Sequence, residues 1–493
     1  MGIIAKQASR NLVFIALGFL AGALNTLIVL PQAFENDPEN WGLLRSLIAW
    51  FMILSQIFSF GSTNILIRYF TRYKNNPGPL LRFGLVVSAL GILGLGLFIF
   101  FFGDQLISWS NGEHIDLLSD HFGLLFLLAA NFIIFLTFQG YVNAILKSTF
   151  HQFLNETFLK SYYLGIAALY FFDLLNFQQL LVGLTGGYIL ATLALIAYSV
   201  THGFTLRSQS SMLTERREMV NYGLYSILDR GAQTIVNNLD IIMIGLLIGL
   251  DDVGFFTLAA YIGTVTQMPQ RAIQAIANPI VSKAIEQEDQ GDLKHVYIQS
   301  ALNQLILGGA IFLGIWVSID ELMSLMPGKY GNGKWVVLFI AISKLIYMTS
   351  GVSGGIIVYS KYFRVNLRFN LILIVLTITT NYFLVSPRFF DLGINGAAIA
   401  TAMTYLIYNG AKLVFIRRKF GLQPLTRQVL IAVLLIAFLA VPLHMWTPFA
   451  EKAILAIGLK SALAVTVFSS LAVALKLSPD LNNFVRKFFG KTA

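Results

Sequence analysis

Stretches of about twenty mostly apolar residues recur from one end of this 493-residue chain to the other, and a run of that length spans a bilayer as a helix. In hydrocarbon each backbone polar group must be satisfied within its own segment, which restricts such runs to helices. About fourteen crossings fit, at residues 11–30, 42–61, 80–102, 122–140, 158–174, 181–200, 220–250, 254–284, 297–318, 335–358, 371–385, 394–415, 429–446 and 453–475. Charged residues make up only 12% of the chain, about half the share in a soluble domain. The short alternating segments of a transmembrane barrel are absent from the sequence. The pattern predicts an all-α polytopic membrane protein.

The spans are duplicated. Gly183–Thr192 reads G-L-T-G-G-Y-I-L-A-T and Gly393–Ala402 reads G-I-N-G-A-A-I-A-T-A. Asp104-Gln105-Leu106-Ile107-Ser108 returns as Asp320-Glu321-Leu322-Met323-Ser324, Gly42-Leu43-Leu44 as Gly254-Phe255-Phe256, and Ser148-Thr149-Phe150 as Ser360-Lys361-Tyr362. The order and the offset are kept throughout, as a tandem duplication would leave them. The expected organisation is a six-helix half at 1–205, a second six-helix half at 206–420, and two further transmembrane helices with a tail at 421–493. Six is even, so the halves share one orientation and are related by an axis along the membrane normal, a transporter architecture.

Charge placement sets the expected topology. Lys6 and Arg10 precede the first span, and Glu35, Asp37 and Glu39 follow it. Arg68, Arg72, Lys74 and Arg82 surround the next connection, whereas the one after holds Asp104, Glu113, Asp116 and Asp120. The basic side continues through Arg207, Arg216 and Arg217, through Lys361, Arg364 and Arg368, and through Arg417, Arg418, Lys419 and Arg427. By the positive-inside rule that side is cytoplasmic, with both termini. The net charge of +10 is thus a topology signal, and no nucleic-acid partner is implied. The first span, too long for a signal-peptide core, reads as a retained helix.

Several chemistries are excluded. The chain has no cysteine, hence no disulfide, thiolate nucleophile or cysteine metal site. His114, His121, His151, His202, His295 and His444 show no ligand spacing, and no Walker A loop is present. No metal or cofactor is expected. With no connection longer than about twenty residues, no catalytic extramembrane domain is expected either, and the chain reads as a non-enzyme.

What remains is polarity inside the spans, where an ionisable residue is costly unless it faces a cavity or a partner. In span 7, Asp229, Gln233, Asn237 and Asp240 fall at i, i+4, i+8 and i+11, one helical face. Arg230, Thr234 and Asn238 form the adjoining stripe. Span 8 offers Thr257, Tyr261, Thr264 and Arg271, with Pro269 favouring a kink. Span 2 offers Arg45 and Gln56, and span 10 Lys344 and Tyr347. A purely structural alternative is self-neutralisation, Asp229 with Arg230 or Arg271, and asparagines joining helices. The cations outnumber the acids, which points to a cavity of positive surplus. Lys460 reads as a snorkelling side chain, and Arg68 and Lys283 as anchors at helix ends.

The phrase Leu392-Gly393-Ile394-Asn395-Gly396-Ala397-Ala398-Ile399-Ala400-Thr401 and the run Ala277-Asn278-Pro279-Ile280-Val281-Ser282-Lys283 resemble the multidrug/oligosaccharidyl-lipid/polysaccharide exporter superfamily. The basic start Ala5-Lys6-Gln7-Ala8-Ser9-Arg10-Asn11 is similar to that of the bacterial polysaccharide transporters, the Wzx-type flippases. That resemblance implies movement of undecaprenyl-pyrophosphate-linked sugar units from the cytoplasmic to the periplasmic leaflet of a bacterial inner membrane. The two helices beyond the repeat resemble the fourteen-helix members, including lipid II flippases, in which extra C-terminal helices form a lipid-facing groove.

The expected function is therefore a lipid-linked oligosaccharide flippase working by alternating access. Arg45, Arg230, Arg271 and Lys344 would contact phosphate, Tyr261 and Tyr347 would stack on sugar rings, and Asp229 and Asp240 would bind a coupling proton or sodium ion. Membrane lipid is an expected partner, as are a polysaccharide polymerase and glycosyltransferases of the same pathway. The rival readings are a drug/cation antiporter of the same superfamily and a polytopic polymerase or ligase.

Overall fold

A computed structural model of the protein describes residues 3–108, 110, 112–206, 215–446 and 452–483; the side chains of residues 3–12 and 228–230 lie outside this description. The described residues are helical throughout, apart from connections and one isolated bridge between Glu113 and Gly249. Numbered in chain order, the helical segments are α1 (Val13–Ala33), α2 (Pro38–Phe58, extended by Ser62–Tyr69), α3 (Gly78–Ser108), α4 (Phe122–Ala144), α5 (148–171), α6 (Phe177–Thr201) and α7 (Arg216–Arg230 and Ala232–Leu247). They continue as α8 (Leu250–Val265 and Met268–Glu286), α9 (Gln290–Trp316), α10 (Lys334–Thr349 and Ser353–Tyr359), α11 (Phe363–Val385), α12 (Gly393–Phe420), α13 (Arg427–Met445) and α14 (Ala453–Ala474).

Among the described residues ten helices are long and apolar enough to cross a membrane unbroken, and the α10 pair, bent by 49°, makes eleven. The other three expected spans are helical but interrupted, and each interruption has a local cause. In α7 the break falls at Gly231, where a Cβ would run into the Ile227 carbonyl and the Gln56 side chain. In α8 it falls at Thr266–Gln267, and Pro269 lies in the first turn of the second piece, where its missing N–H costs nothing. In α5 residues Leu154–Phe158 form a π-turn. That helix starts at Ser148, ten residues before the expected onset, and carries the Glu156–Lys160 ion pair at 2.8 Å. A second π-turn, Asn25–Val29, interrupts α1.

The chain folds into two compact units, Met1–Gly254 and Phe255–Ala493. In the first, a buried cluster joins α2, α3, α4, α5 and α6 through Leu66, Leu80, Phe135, Phe138, Leu154 and Leu195. At one end of that unit the α2 extension is tied to the start of α7. Arg72 Nη1 pairs with Glu215 Oε2 at 2.6 Å, the Tyr69 hydroxyl donates to Glu218 Oε1 at 2.8 Å, and the Arg68 guanidinium lies 4.1 Å from the Tyr222 ring centroid. Arg68 is thus held by an aromatic stack as well as standing at a helix end.

The echoed glycines meet in this unit. A Cβ on Gly42 would strike the Leu250 carbonyl, and one on Gly254 would lie 3.1 Å from the Pro38 carbonyl oxygen. Pro38 precedes Gly42 by four residues, as Leu250 precedes Gly254. Each glycine therefore packs on the residue one turn before the other, the reciprocal pattern that two-fold-related helices make. Both positions need close backbone approach, which explains a glycine at each.

In the second unit the core joins α9, α10, α13 and α14 through Leu305, Phe312, Ala341, Ile436, Leu439 and Phe468. A Cβ on Gly309 of α9 would run into Ile436, so this glycine sets how closely α13 approaches. The acidic turn after α8 supplies the N-cap of α9: Asp289 Oδ1 accepts from the Gly291 and Asp292 amides, each at 2.9 Å.

Candidate functional site

The first unit holds Arg45 and Asp240. Arg45 projects from the second turn of α2; its Nε is buried and has no hydrogen-bond partner among the described residues. No salt bridge reaches it among those residues. Its electrostatic neighbours are the phenols of Tyr163 on α5 and Tyr188 on α6. The Tyr188 ring packs edge-on against Phe51, centroids 5.0 Å apart. On α7, the amide of Gln233 donates to Asn237 Oδ1 at 2.9 Å, and both residues are exposed, whereas Asn238 is buried and bonds the Thr234 carbonyl. Two successive members of the expected polar face therefore do share it. Asp240 on the same helix is half-buried. Asp229 and Arg230 fall on α7, but their side chains lie outside the described residues.

The second unit holds Tyr261, Arg271, Lys344 and Tyr347. Lys344 is 8% exposed, with Nζ 5.0 Å from the centroid of the Tyr405 ring. Tyr347, one turn on, meets the same ring edge-on at 5.7 Å, with the Gln270 and Gln274 side chains in polar range of it. Lys344 and Tyr347 are thus brought together on one aromatic surface. Arg271 is exposed and lies in electrostatic range of the half-buried Tyr261 across the α8 break.

Two buried lysines have roles that the sequence reading missed. Lys412 on α12 is 5% exposed with Nζ 4.2 Å from the Tyr408 centroid, and the Tyr408 hydroxyl donates to Asn370 Oδ1 at 3.2 Å. Its i,i+4 spacing from Tyr408 was the available signal. Lys460 does not snorkel: its side chain is 2% exposed and pairs with Glu321 at 2.8 Å. The adjacent Asp320 binds Lys334 at 3.1 Å and His444 at 3.3 Å, while Ser461 donates to the Gly314 carbonyl at 2.7 Å. This polar cluster fastens α13 and α14 to the end of α9. Among the described residues no group of three or more His, Asp or Glu could hold a metal ion. A groove of about 410 Å³ at the α5–α6 turn is lined by residues such as Ile166, Leu169, Gln179 and Val182 and includes none of the cations.

A many-spanning helical protein with cations buried among tyrosines has an architecture that membrane transporters use. The model for the polysaccharide biosynthesis protein family matches residues 8–285, more than half of the chain, and this protein belongs to that family. The MatE model matches residues 226–383. A probable low-salt glycan biosynthesis flippase of Haloferax volcanii is 24% identical over 192 residues, 39% of this chain and 40% of that relative, so the match spans well under half of either protein. Among solved structures, the lipid II flippase MurJ in an inward closed conformation superposes with a TM-score of 0.65 at 13% identity, covering 96% of this chain and 100% of that one. An inward-facing multidrug resistance MATE transporter gives 0.62 at 13% identity, with 83% and 98% covered. A transporter from Pyrococcus furiosus, described as having a binding pocket of reverse polarity, gives 0.54 at 15%, with 85% and 96% covered. The fold is that of the superfamily expected from the sequence, and the protein is a multi-pass membrane protein of that group.

Proposed function

We propose that the protein flips a polyprenyl-pyrophosphate-linked oligosaccharide across the inner membrane by alternating access, in the assembly of a cell-surface glycan. The observation that carries this reading is Arg45, a guanidinium on a membrane-spanning helix whose Nε is buried without a hydrogen-bond partner among the described residues. Such a charge is expensive to bury, and an anionic ligand offsets the cost. A pyrophosphate supplies the negative charge, and Lys344 on its aromatic surface is suited to the same kind of ligand. In this reading Arg230 and Arg271 assist with phosphate, Tyr261 and Tyr347 face the sugars, and Asp229 or Asp240 carries a coupling proton or sodium ion. The polymerase and glycosyltransferases that use and make the substrate are its pathway partners, and both termini are cytoplasmic.

Cation antiport is the second reading, favoured by the MatE match over 226–383. Buried positive charge weighs against it. Depleting the protein in its host separates the two. Flippase function predicts loss of surface glycan with lipid-linked oligosaccharide retained on the inner leaflet. Intact glycan together with lost efflux of a lipophilic cation would overturn it in favour of antiport.

A further inference from the structure

We propose that Arg45, Tyr163 and Tyr188 form an oxyanion-binding site wholly within the first unit, in which the two phenol hydroxyls donate beside the guanidinium. The proposal rests on the flippase reading and adds to it two ligand-binding residues and the geometry of recognition. The three side chains come from three helices, α2, α5 and α6, and all belong to the unit Met1–Gly254.

Two independent donors stand unsatisfied there. Both Arg45 Nε and the Tyr163 hydroxyl are buried without a hydrogen-bond partner among the described residues. Buried polar groups nearly always find a partner, and tyrosine hydroxyls in particular do so. Here the partners of the guanidinium in electrostatic range are themselves phenols, which are neutral donors and do not compensate its charge. A ligand that accepts several hydrogen bonds and carries negative charge satisfies both requirements at once. A neutral sugar hydroxyl would meet only the first, and a cation neither.

The setting also favours a fork over a point charge. Nε lies on the edge of the guanidinium that binds two oxygens of one group, a mode that lysine cannot reproduce. Seven residues separate Arg45 from the start of α2 at Pro38, about 10 Å along the axis or a third of the hydrocarbon thickness. Donors built into the helices there offset part of the cost of taking a charged ligand out of water. The shared chemistry is an oxyanion, and it has two sources in a glycolipid: the pyrophosphate, and the carboxylate of an acidic sugar.

The test uses the full-length protein in phosphatidylcholine nanodiscs, with two probes: undecaprenyl pyrophosphate without sugar, and a uronate-containing oligosaccharide without lipid. Tyr163→Phe and Tyr188→Phe each delete one oxygen and keep the ring. Each should weaken binding about fivefold, as loss of one hydrogen bond does, while Arg45→Gln should weaken it at least about tenfold and Arg45→Lys should not restore it. Melting temperatures should stay at the wild-type value. An effect confined to the first probe supports the site and makes phosphate its ligand; one confined to the second supports it with a carboxylate. If the wild type binds a probe and the phenylalanine variants bind it equally well, the site is refuted while the flippase reading stands. If affinity falls only in step with melting temperature, the three residues are structural and the proposal fails. A wild type that binds neither probe refutes the flippase reading and the site together.

Discussion

Arg45 in the first unit, half-buried with its Nε enclosed, and Lys460 in the second, buried outright, are both cations on membrane-spanning helices, and they differ in what surrounds them. Lys460 has Glu321 at 2.8 Å, whereas Arg45 has the phenols of Tyr163 and Tyr188 in electrostatic range and a buried Nε without a hydrogen-bond partner among the described residues. Burying a charge is tolerable when a partner is built in. Lys460 and Glu321 meet that condition across 139 residues of sequence, and so join α14 to the segment after α9. Arg45 meets it only when something else arrives. On the flippase reading, burial alone does not separate a structural charge from a ligand-binding one in this protein, and a built-in carboxylate does.

The largest effect on stability should come from breaking the pair in the second unit. Glu321→Ala leaves Lys460 charged and buried, and should cost about 3–5 kcal/mol, seen as a marked drop in melting temperature in detergent. A drop no larger than that of an exposed-residue control would mean the pair is solvated and the contrast with Arg45 is lost. A smaller effect is expected from Gly42→Ala in the first unit, where the new methyl meets the Leu250 carbonyl. Overpacking of this kind costs about 1–3 kcal/mol, and Gly254→Ala, with a contact of 3.1 Å, should cost less. Equal costs would weaken the reciprocal packing argument. The smallest effect belongs to the double change Glu321→Leu with Lys460→Met. Replacing a whole buried pair by apolar groups is often close to neutral, so most of the lost stability should return. If it does not, the pair does more than hold α14 in place.

Apolar run length made the helices legible, because a membrane span is nearly a one-dimensional problem. The onset of α5 was missed because His151, Asn155 and Glu156 lower the hydropathy there, although the helix continues through them. The break falls at Gly231, where a Cβ would meet Gln56, a close approach that no periodicity reveals. The π-turns Asn25–Val29 and Leu154–Phe158 leave no mark in the spacing of apolar residues. Intramembrane charge was the signal that singled out Arg45, Lys344 and Arg271, whose part in a binding site is proposed. It misassigned Lys460 because its partner lies in another segment, and it passed over Tyr163 and Tyr188 because tyrosines in an apolar run read as packing. The role proposed for them rests on the arginine in their electrostatic range.

The contrast between the two cations is tested most directly by Arg45→Gln, measured twice on one preparation. Flipping of a polyprenyl-pyrophosphate-linked oligosaccharide is followed in proteoliposomes, and thermal unfolding is followed in detergent. A residue held for a ligand predicts that flipping falls by about tenfold or more, the loss of a charge-assisted contact, while the melting temperature is kept or raised. Undiminished flipping, or a loss of flipping that merely tracks a fall in melting temperature as in Glu321→Ala, would contradict that assignment and make Arg45 another structural charge.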